Sequence, residues 1–144
     1  MRRVVFIGAL AILLTACGGS STSAPSYDAT ASQTALTKAG WKVKTGTGMR
    51  PLAGGKQLGW LDLVSPTGTK ISLQFLESSG KAKDELAAIH AGVSGVKADP
   101  SFRGTTVGNV LAFATPTGRQ ELPATVVSDL GKLLAKHKRH TSAY

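Results

Sequence analysis

The stretch LGWLDLVSPTGTKISLQFLE, residues 58–77, decides the fold. Two apolar segments, 58–65 and 70–77, flank Pro66-Thr67-Gly68-Thr69, and proline followed two residues later by glycine is typical of a hairpin turn. In the second segment apolar and polar side chains alternate: Ile71, Leu73 and Phe75 share one face, and Lys70, Ser72 and Gln74 take the other. This period of two predicts an antiparallel hairpin with one face toward a core.

The residues before this hairpin predict one helix, one strand and a loop. Residues 27–39 are typical of a short helix, with Asp28 as its N-cap and Gly40 at its C-terminal cap position. Residues 41–45 alternate apolar and charged side chains, as a half-buried strand does. The glycine-rich residues 46–56 are expected to form a loop.

Two further helices are predicted after the hairpin. Apolar side chains recur at steps of three and four over residues 81–96, before Asp99-Pro100 ends the pattern. They are Leu86, Ile89, Val93 and Val96. A final helix is predicted over residues 122–138, with Pro123 near its start, where proline is tolerated. Its apolar stripe consists of Leu122, Val126, Leu130, Leu133 and Leu134.

The segment 103–115 leaves two alternatives open. Its apolar, β-branched residues favour strand, and Gly108-Asn109 suits a tight hairpin turn, although a single bulged strand fits as well. The order is therefore helix, three strands, helix, one or two strands, helix. Adjacent hairpins predict a small single α+β domain, with an antiparallel sheet of four to five strands and helices packed on one face.

The first residues are typical of an export signal. Met1-Arg2-Arg3 is followed by an uncharged apolar run over residues 4–14. At about 1.5 Å per residue this run reaches roughly 16 Å as a helix, which is short of a bilayer core of about 30 Å. A cationic start, a short apolar region and then small residues predict a signal peptide that is removed.

Leu14-Thr15-Ala16-Cys17 resembles the bacterial lipobox: an aliphatic residue, two small residues and a cysteine. The resemblance implies a bacterial lipoprotein, cleaved between Ala16 and Cys17, with diacylglycerol on the Cys17 sulfur and palmitate among its acyl chains. Residues 1–16 are then the signal peptide and 17–26 a flexible lipidated tether. The expected location is the extracytoplasmic face of the cell membrane. No motif assigns the mature domain, residues 27–144, to a known family.

The chain is strongly basic. Lys and Arg number 17 against 8 Asp and Glu, a net charge of +9. Basic residues beside a membrane attract anionic lipid, with about 1 kcal/mol per Lys or Arg. The densest basic patch is near the C-terminus and consists of Lys132, Lys136, Lys138 and Arg139. The chain is expected to fray there from about residue 136. This patch is a candidate contact for anionic lipid or an acidic wall polymer, and the alternative is a solvated helix end.

Nucleic acid is not an expected partner. An exported, lipid-anchored protein rarely meets it, and the large aromatic side chains are among apolar strand residues rather than on a basic platform. These side chains are Trp41, Trp60 and Phe75.

Candidate catalytic residues are few. His90 is the only histidine inside the predicted fold, and its place beside an apolar stripe favours a boundary histidine over a catalytic one. Asp62 is between Leu61 and Leu63 and is expected to face solvent beside Lys70. Asp84 and Glu85 are expected to interact with a helix dipole at the start of their helix. No catalytic residue is therefore assigned.

Metal and cofactor sites are not predicted. The only cysteine is Cys17, which the lipid occupies, and the histidines lack the spacing of a metal site. The glycine loops 46–48 and 54–57 lack the remaining residues of dinucleotide or P-loop motifs, so flexible connectors are favoured.

Three functions stay open. The leading hypothesis is a non-enzymatic binding or accessory module at the cell envelope, with anionic lipid, wall polymer or an envelope protein as its partner. The second is an envelope-acting enzyme or enzyme regulator that uses His90 and a nearby carboxylate such as Asp62. The third is a small lipid or ligand carrier, which needs an apolar cavity.

Overall fold

The computed structural model describes residues 26–135. This part of the chain is a five-stranded antiparallel sheet with three helices, in strand order β1-β2-β3-β5-β4. The elements are α1 (Ala29–Lys38), β1 (Lys42–Thr45), β2 (Gln57–Val64), β3 (Lys70–Leu76), α2 (Ser79–Ala91), β4 (Thr105–Val107), β5 (Val110–Ala114) and α3 (Ala124–Ala135). The predicted α+β class and element order are confirmed. None of the helices within residues 26–135 is both long and apolar enough to cross a membrane.

Two hairpins build the sheet. β2 and β3 pair from Val64↔Lys70 onward, and their turn is closed by a bond from the Thr69 N–H to the Ser65 hydroxyl oxygen, 3.0 Å. The open alternative at residues 103–115 is resolved in favour of a hairpin, because β4 and β5 pair at Val107↔Val110.

The main core is on one face of the sheet. α1 and α3 pack there against the face predicted from the alternation in β3. The buried residues of this core that come from β3, α1 and α3 are Ile71, Leu73, Phe75, Leu36, Val126, Leu130 and Leu134. The α1 N-cap is confirmed too, because Asp28 Oδ2 accepts a hydrogen bond from the Ala31 N–H at 2.9 Å.

The opposite face of the sheet is also covered, so the expectation of helices on one face only is wrong. α2 contacts β3, β4 and β5, and its Glu85 borders a pocket with Trp60, Gln74 and Phe113. Ser72 and Gln74, which the alternation placed on a polar face, are only 2% and 3% exposed. Alternation in one strand marks which residues share a face, but does not show that the second face stays open.

α2 differs from its predicted range and buried stripe. The helix ends at Ala91, because Gly92 has φ +80° and residues 93–96 form a tight turn closed by hydrogen bonds between Val93 and Val96. Its buried side chains are Ala82 and Glu85. The predicted stripe is half-buried or exposed.

Asn109 joins three parts of the domain. Its side chain is fully buried, and its Oδ1 accepts from the Tyr27 N–H at 2.6 Å. Its Nδ2 donates to the Tyr27 carbonyl at 3.1 Å and to the Leu76 carbonyl at 2.8 Å. One turn residue thus fixes the chain before α1 to the end of β3.

Asn109→Ala is expected to lower the free energy of unfolding by about 3–5 kcal/mol, because three buried main-chain groups lose their partner. Urea denaturation measures the change. Gln120→Ala, which removes an exposed amide, is the matched control and is expected to cost less than about 0.5 kcal/mol. Equal losses in the two variants would contradict the role given to Asn109.

Candidate functional site

A pocket of about 250 Å³ lies between the second face of the sheet, α2 and three loops. We call it the aromatic pocket. The sheet contributes Trp60, Gln74 and Phe113, and α2 contributes Glu85 and Ile89. Loop residues complete the lining: Met49, Arg50, Leu52, Val96, Lys97, Asp99, Phe102, Pro116 and Thr117.

Three aromatic rings form a continuous wall. The ring centroids of Trp60 and Phe113 are 5.7 Å apart with an interplanar angle of 71°. Those of Phe102 and Phe113 are 5.2 Å apart at 56°. Edge-to-face and tilted pairs at these separations stabilise one another beyond their buried area. The wall is therefore a preformed apolar surface.

The Trp60 indole is held in place by a carboxylate. Asp62 Oδ1 accepts hydrogen bonds from Trp60 Nε1 at 3.1 Å and from the Ser72 hydroxyl at 2.8 Å. Asp62 is half-buried, and these two side chains, rather than Lys70, are its hydrogen-bond partners. Asp62, the carboxylate named in the alternative enzyme hypothesis, thus orients an aromatic ring.

The glycine-rich loop also fits around Trp60. Gly48 has φ +60°, and a Cβ at this position would overlap the indole ring. A Cβ at Gly46 would be 2.6 Å from Trp60 Cδ1 and 2.8 Å from Asp62 Oδ2. The two glycines therefore let the main chain pass directly over the indole, a packing role that the expectation of a flexible connector did not include.

Gln74 brings a polar atom to the apolar lining. Its Nε2 donates to Gln57 Oε1 at 3.0 Å, and Gln57 Nε2 donates in turn to the Thr47 carbonyl at 3.3 Å. This chain of donors fixes the orientation of the Gln74 amide. Within residues 26–135 no donor reaches Gln74 Oε1, although the side chain is only 3% exposed. Buried acceptors normally have a partner, whereas this oxygen, in a residue that lines the pocket, has none among the described residues.

Glu85 fastens the glycine-rich loop to α2. Its two carboxylate oxygens accept from the Leu52 and Ala53 N–H groups, each at 2.9 Å. The side chain is only 2% exposed. Its predicted role at a helix start is wrong, because α2 begins at Ser79 and Glu85 lies in the second turn. No local pattern marks such a residue, since its partners are main-chain groups more than thirty residues away.

The mouth of the pocket carries both apolar and charged side chains. Met49 and Val96 are 66% and 41% exposed. Arg50 and Lys97 are exposed and have no ion pair within the described part of the chain. A few apolar side chains and two cations thus border an aromatic interior.

His90 does not line the aromatic pocket, but it contacts Phe102, one of the residues of the pocket wall. It is exposed, and its Nε2 is 2.8 Å from the Phe102 carbonyl oxygen, so this ring nitrogen carries the proton that the bond needs. His90 also borders an open groove beside β4 together with Glu121. Between residues 26 and 135, however, no carboxylate is hydrogen-bonded to it. The boundary position predicted for His90 is what the structure shows.

Metal ligands are not brought together in the described residues. No group of three or more His, Cys, Asp or Glu side chains within 26–135 has the arrangement of a metal site.

The remaining predicted site residues are divided between described and undescribed parts. Cys17, Ala16, Lys136, Lys138 and Arg139 lie outside the described residues. Lys132 is exposed near the end of α3, which packs on the sheet face opposite the pocket.

Another basic patch is on the same sheet face as the pocket. Lys42, Lys44 and Lys70 surround Asp62 there. The alternation of charged residues in β1 could have indicated this patch, because lysines two apart in a strand share a face.

Comparisons with protein-family models, with curated proteins and with solved structures found no match to this chain.

Proposed function

We propose that this chain is a non-enzymatic binding module, lipid-anchored at the extracytoplasmic face of the cell membrane, which holds a small apolar group in the aromatic pocket. One observation carries the proposal: a preformed wall of three aromatic rings lies beside the buried Gln74 amide, whose oxygen accepts no hydrogen bond from residues 26–135. Apolar clefts with a few placed polar groups are the usual form of small-ligand sites.

The contacts of the two candidate catalytic residues favour binding over catalysis. A general base needs a positioned partner that it deprotonates or that orients it. His90 is engaged with the Phe102 carbonyl, and Asp62 with Trp60 and Ser72. Both side chains therefore support rings of the pocket wall, and neither is joined to the other by a hydrogen bond.

The size of the pocket limits its occupant. A water molecule takes about 30 Å³ in the liquid, so the cavity has room for about eight non-hydrogen atoms. One aromatic ring with a short substituent, or a short segment of one acyl chain, fits this space. The carrier hypothesis is therefore retained for a small ligand and not for a whole two-chain lipid.

The proposed cellular location is inferred from the sequence. The lipobox-like Leu14-Thr15-Ala16-Cys17 supports attachment through membrane lipid, and the excess of basic residues suits a surface close to anionic lipid, wall polymer or an envelope protein. Tyr27, where the domain begins, is fastened to the sheet by Asn109. The first residue of the domain after the proposed tether is thus fixed to the sheet that carries the pocket.

Binding of 1-octanol is expected to shift the indole N–H resonance of Trp60 in the nuclear magnetic resonance spectrum and to leave that of Trp41 unchanged. Octanol has a chain of suitable length and carries no charge. Trp41 is buried in the core on the other face and is the internal control. Phe113→Ala is expected to weaken binding about tenfold, because the ligand loses contact with one ring. Equal shifts at both indoles, or none, would refute the proposed pocket function.

A further inference from the structure

We propose that the aromatic pocket selects an amphipathic anion: an apolar body of about eight atoms that carries a carboxylate or phosphate at the mouth. The inference rests on the proposed binding function and adds the chemical class of the ligand. It is carried by the difference between the acidic and basic side chains that border the pocket.

The two acids at the pocket are already paired. Both carboxylate oxygens of Glu85 accept main-chain hydrogen bonds. Asp99 Oδ2 is 3.7 Å from Arg119 Nε, and its Oδ1 accepts from the Ser101 N–H at 3.2 Å. A cationic ligand would therefore meet only acids that already have a partner in the protein.

The two bases at the pocket have no partner in the described part of the chain. Arg50 and Lys97 line it and have neither an ion pair nor a side-chain hydrogen bond within residues 26–135. A ligand anion at the mouth would meet two cations for which no described residue competes. The lining contains two acids and two bases, and the two bases are the charged groups that a ligand could pair with without displacing a described partner.

The main chain close to each cation is hydrogen-bonded to α2. Arg50 comes two residues before Leu52, whose N–H donates to Glu85. Lys97 comes two residues before Asp99, whose N–H donates to the Ile89 carbonyl at 2.8 Å. Anchored positions on two different loops lower the ordering cost of placing charge at the mouth.

The interior adds a polar requirement. Gln74 Oε1 accepts from no group within the described residues, so a ligand with a hydroxyl or amide N–H beside its apolar body would satisfy it. The ligand class is therefore an amphipath with an anionic end, and a donor in its body raises affinity further. Single-chain fatty acids and single-chain phosphate lipids share this chemistry.

Four ligands that share an eight-carbon chain and differ in their headgroup separate the effect of ligand charge from that of apolar contact. Titration calorimetry with octanoate, octyl phosphate, 1-octanol and octylammonium measures each affinity. We expect the better of the two anions to bind about tenfold more tightly than octanol, since two exposed charge contacts contribute a factor of this order. Octylammonium is expected to be the weakest. Whichever anion binds more tightly identifies the headgroup as carboxylate or phosphate.

Arg50→Gln/Lys97→Gln is expected to reduce the ratio of anion to octanol affinity to about one. Lys38→Gln/Lys83→Gln removes the same net charge from exposed positions away from the pocket and is expected to keep the ratio. At 1 M salt, where the Debye length is about 3 Å, the ratio of the unmodified protein is expected to fall as well.

The outcomes distinguish this inference from the function on which it rests. Octanol that binds as tightly as both anions would overturn the anion preference and leave the pocket function standing. An equal loss of preference in the two double variants would also overturn it, because the effect would then come from overall charge. If none of the four ligands binds, the pocket function itself fails.

Discussion

Replacing Cys17 with alanine is expected to abolish stable membrane attachment, or to stall the precursor before cleavage. A diacylglyceryl group contributes two acyl chains, and each buried CH₂ contributes about 0.8 kcal/mol to membrane binding. One chain alone binds only marginally and reversibly, whereas two hold a protein stably. Without the thiol the lipid has no attachment atom, so the whole of this contribution is lost.

What remains after the loss of the lipid is electrostatic. Lysines such as Lys42, Lys44 and Lys70 are expected to attract anionic headgroups with about 1 kcal/mol per residue, and salt screens this attraction. Membrane fractionation at low and high salt therefore separates the two contributions. The unmodified protein is expected to stay in the membrane fraction under both conditions, and processed Cys17→Ala protein is expected to be released at high salt.

A second substitution in the same segment serves as the control. Thr15→Ala keeps a small residue in the lipobox-like segment and is expected to be processed and anchored normally. Mass spectrometry of the N-terminal peptide reports whether Cys17 carries the lipid. A Cys17→Ala variant with the mature mass that remains in the membrane fraction at high salt would show that the chain is not a lipoprotein of this kind.

Local patterns predicted the elements of this fold well. The turn at residues 66–69 and the alternation in β3 indicate a hairpin by themselves, because turn chemistry and a period of two are properties of neighbouring residues. The Asp28 N-cap is of the same kind. So is the apolar stripe of α3, which supplies Val126, Leu130 and Leu134 to the core.

The pocket depends on contacts that no local pattern contains. Glu85 is hydrogen-bonded to Leu52 and Ala53, and Gln74 reaches Gln57, at separations of 17 to 33 residues. Polar side chains in such places are indistinguishable in sequence from solvated ones. The sequence therefore predicts a polar second face, although α2 and its neighbouring loops cover that face.

The role of the glycine-rich loop could not be predicted from its local sequence either. In the sequence, Gly46-Thr47-Gly48 is a fragment of a phosphate-binding motif or a connector. In the fold, the segment packs against Trp60, and glycine is needed at position 48 because any side chain there would overlap the indole. Which of these roles applies depends on a ring twelve residues away, in a strand whose facing direction is set by the whole sheet.

Glu85→Ala is expected to lower the free energy of unfolding by about 2–4 kcal/mol, because the half-buried N–H groups of Leu52 and Ala53 both lose their acceptor. Glu85→Gln keeps the shape and one acceptor oxygen, so it is expected to cost about half as much. Asp84→Ala is the matched control, since the neighbouring carboxylate is exposed on the same helix. Thermal or urea denaturation measures all three.

The same substitution also tests how the pocket is held together. Loss of the Glu85 contacts frees residues 46–56, which bring Arg50 and the main chain over Trp60 to the pocket. Octanoate affinity is therefore expected to fall at least tenfold in Glu85→Ala, at temperatures where the variant is still folded, and amide exchange is expected to rise in this loop more than in β3. If Glu85→Ala keeps full affinity with a mobile loop, the loop does not form the pocket wall, and the ligand must be held by the sheet face and α2 alone.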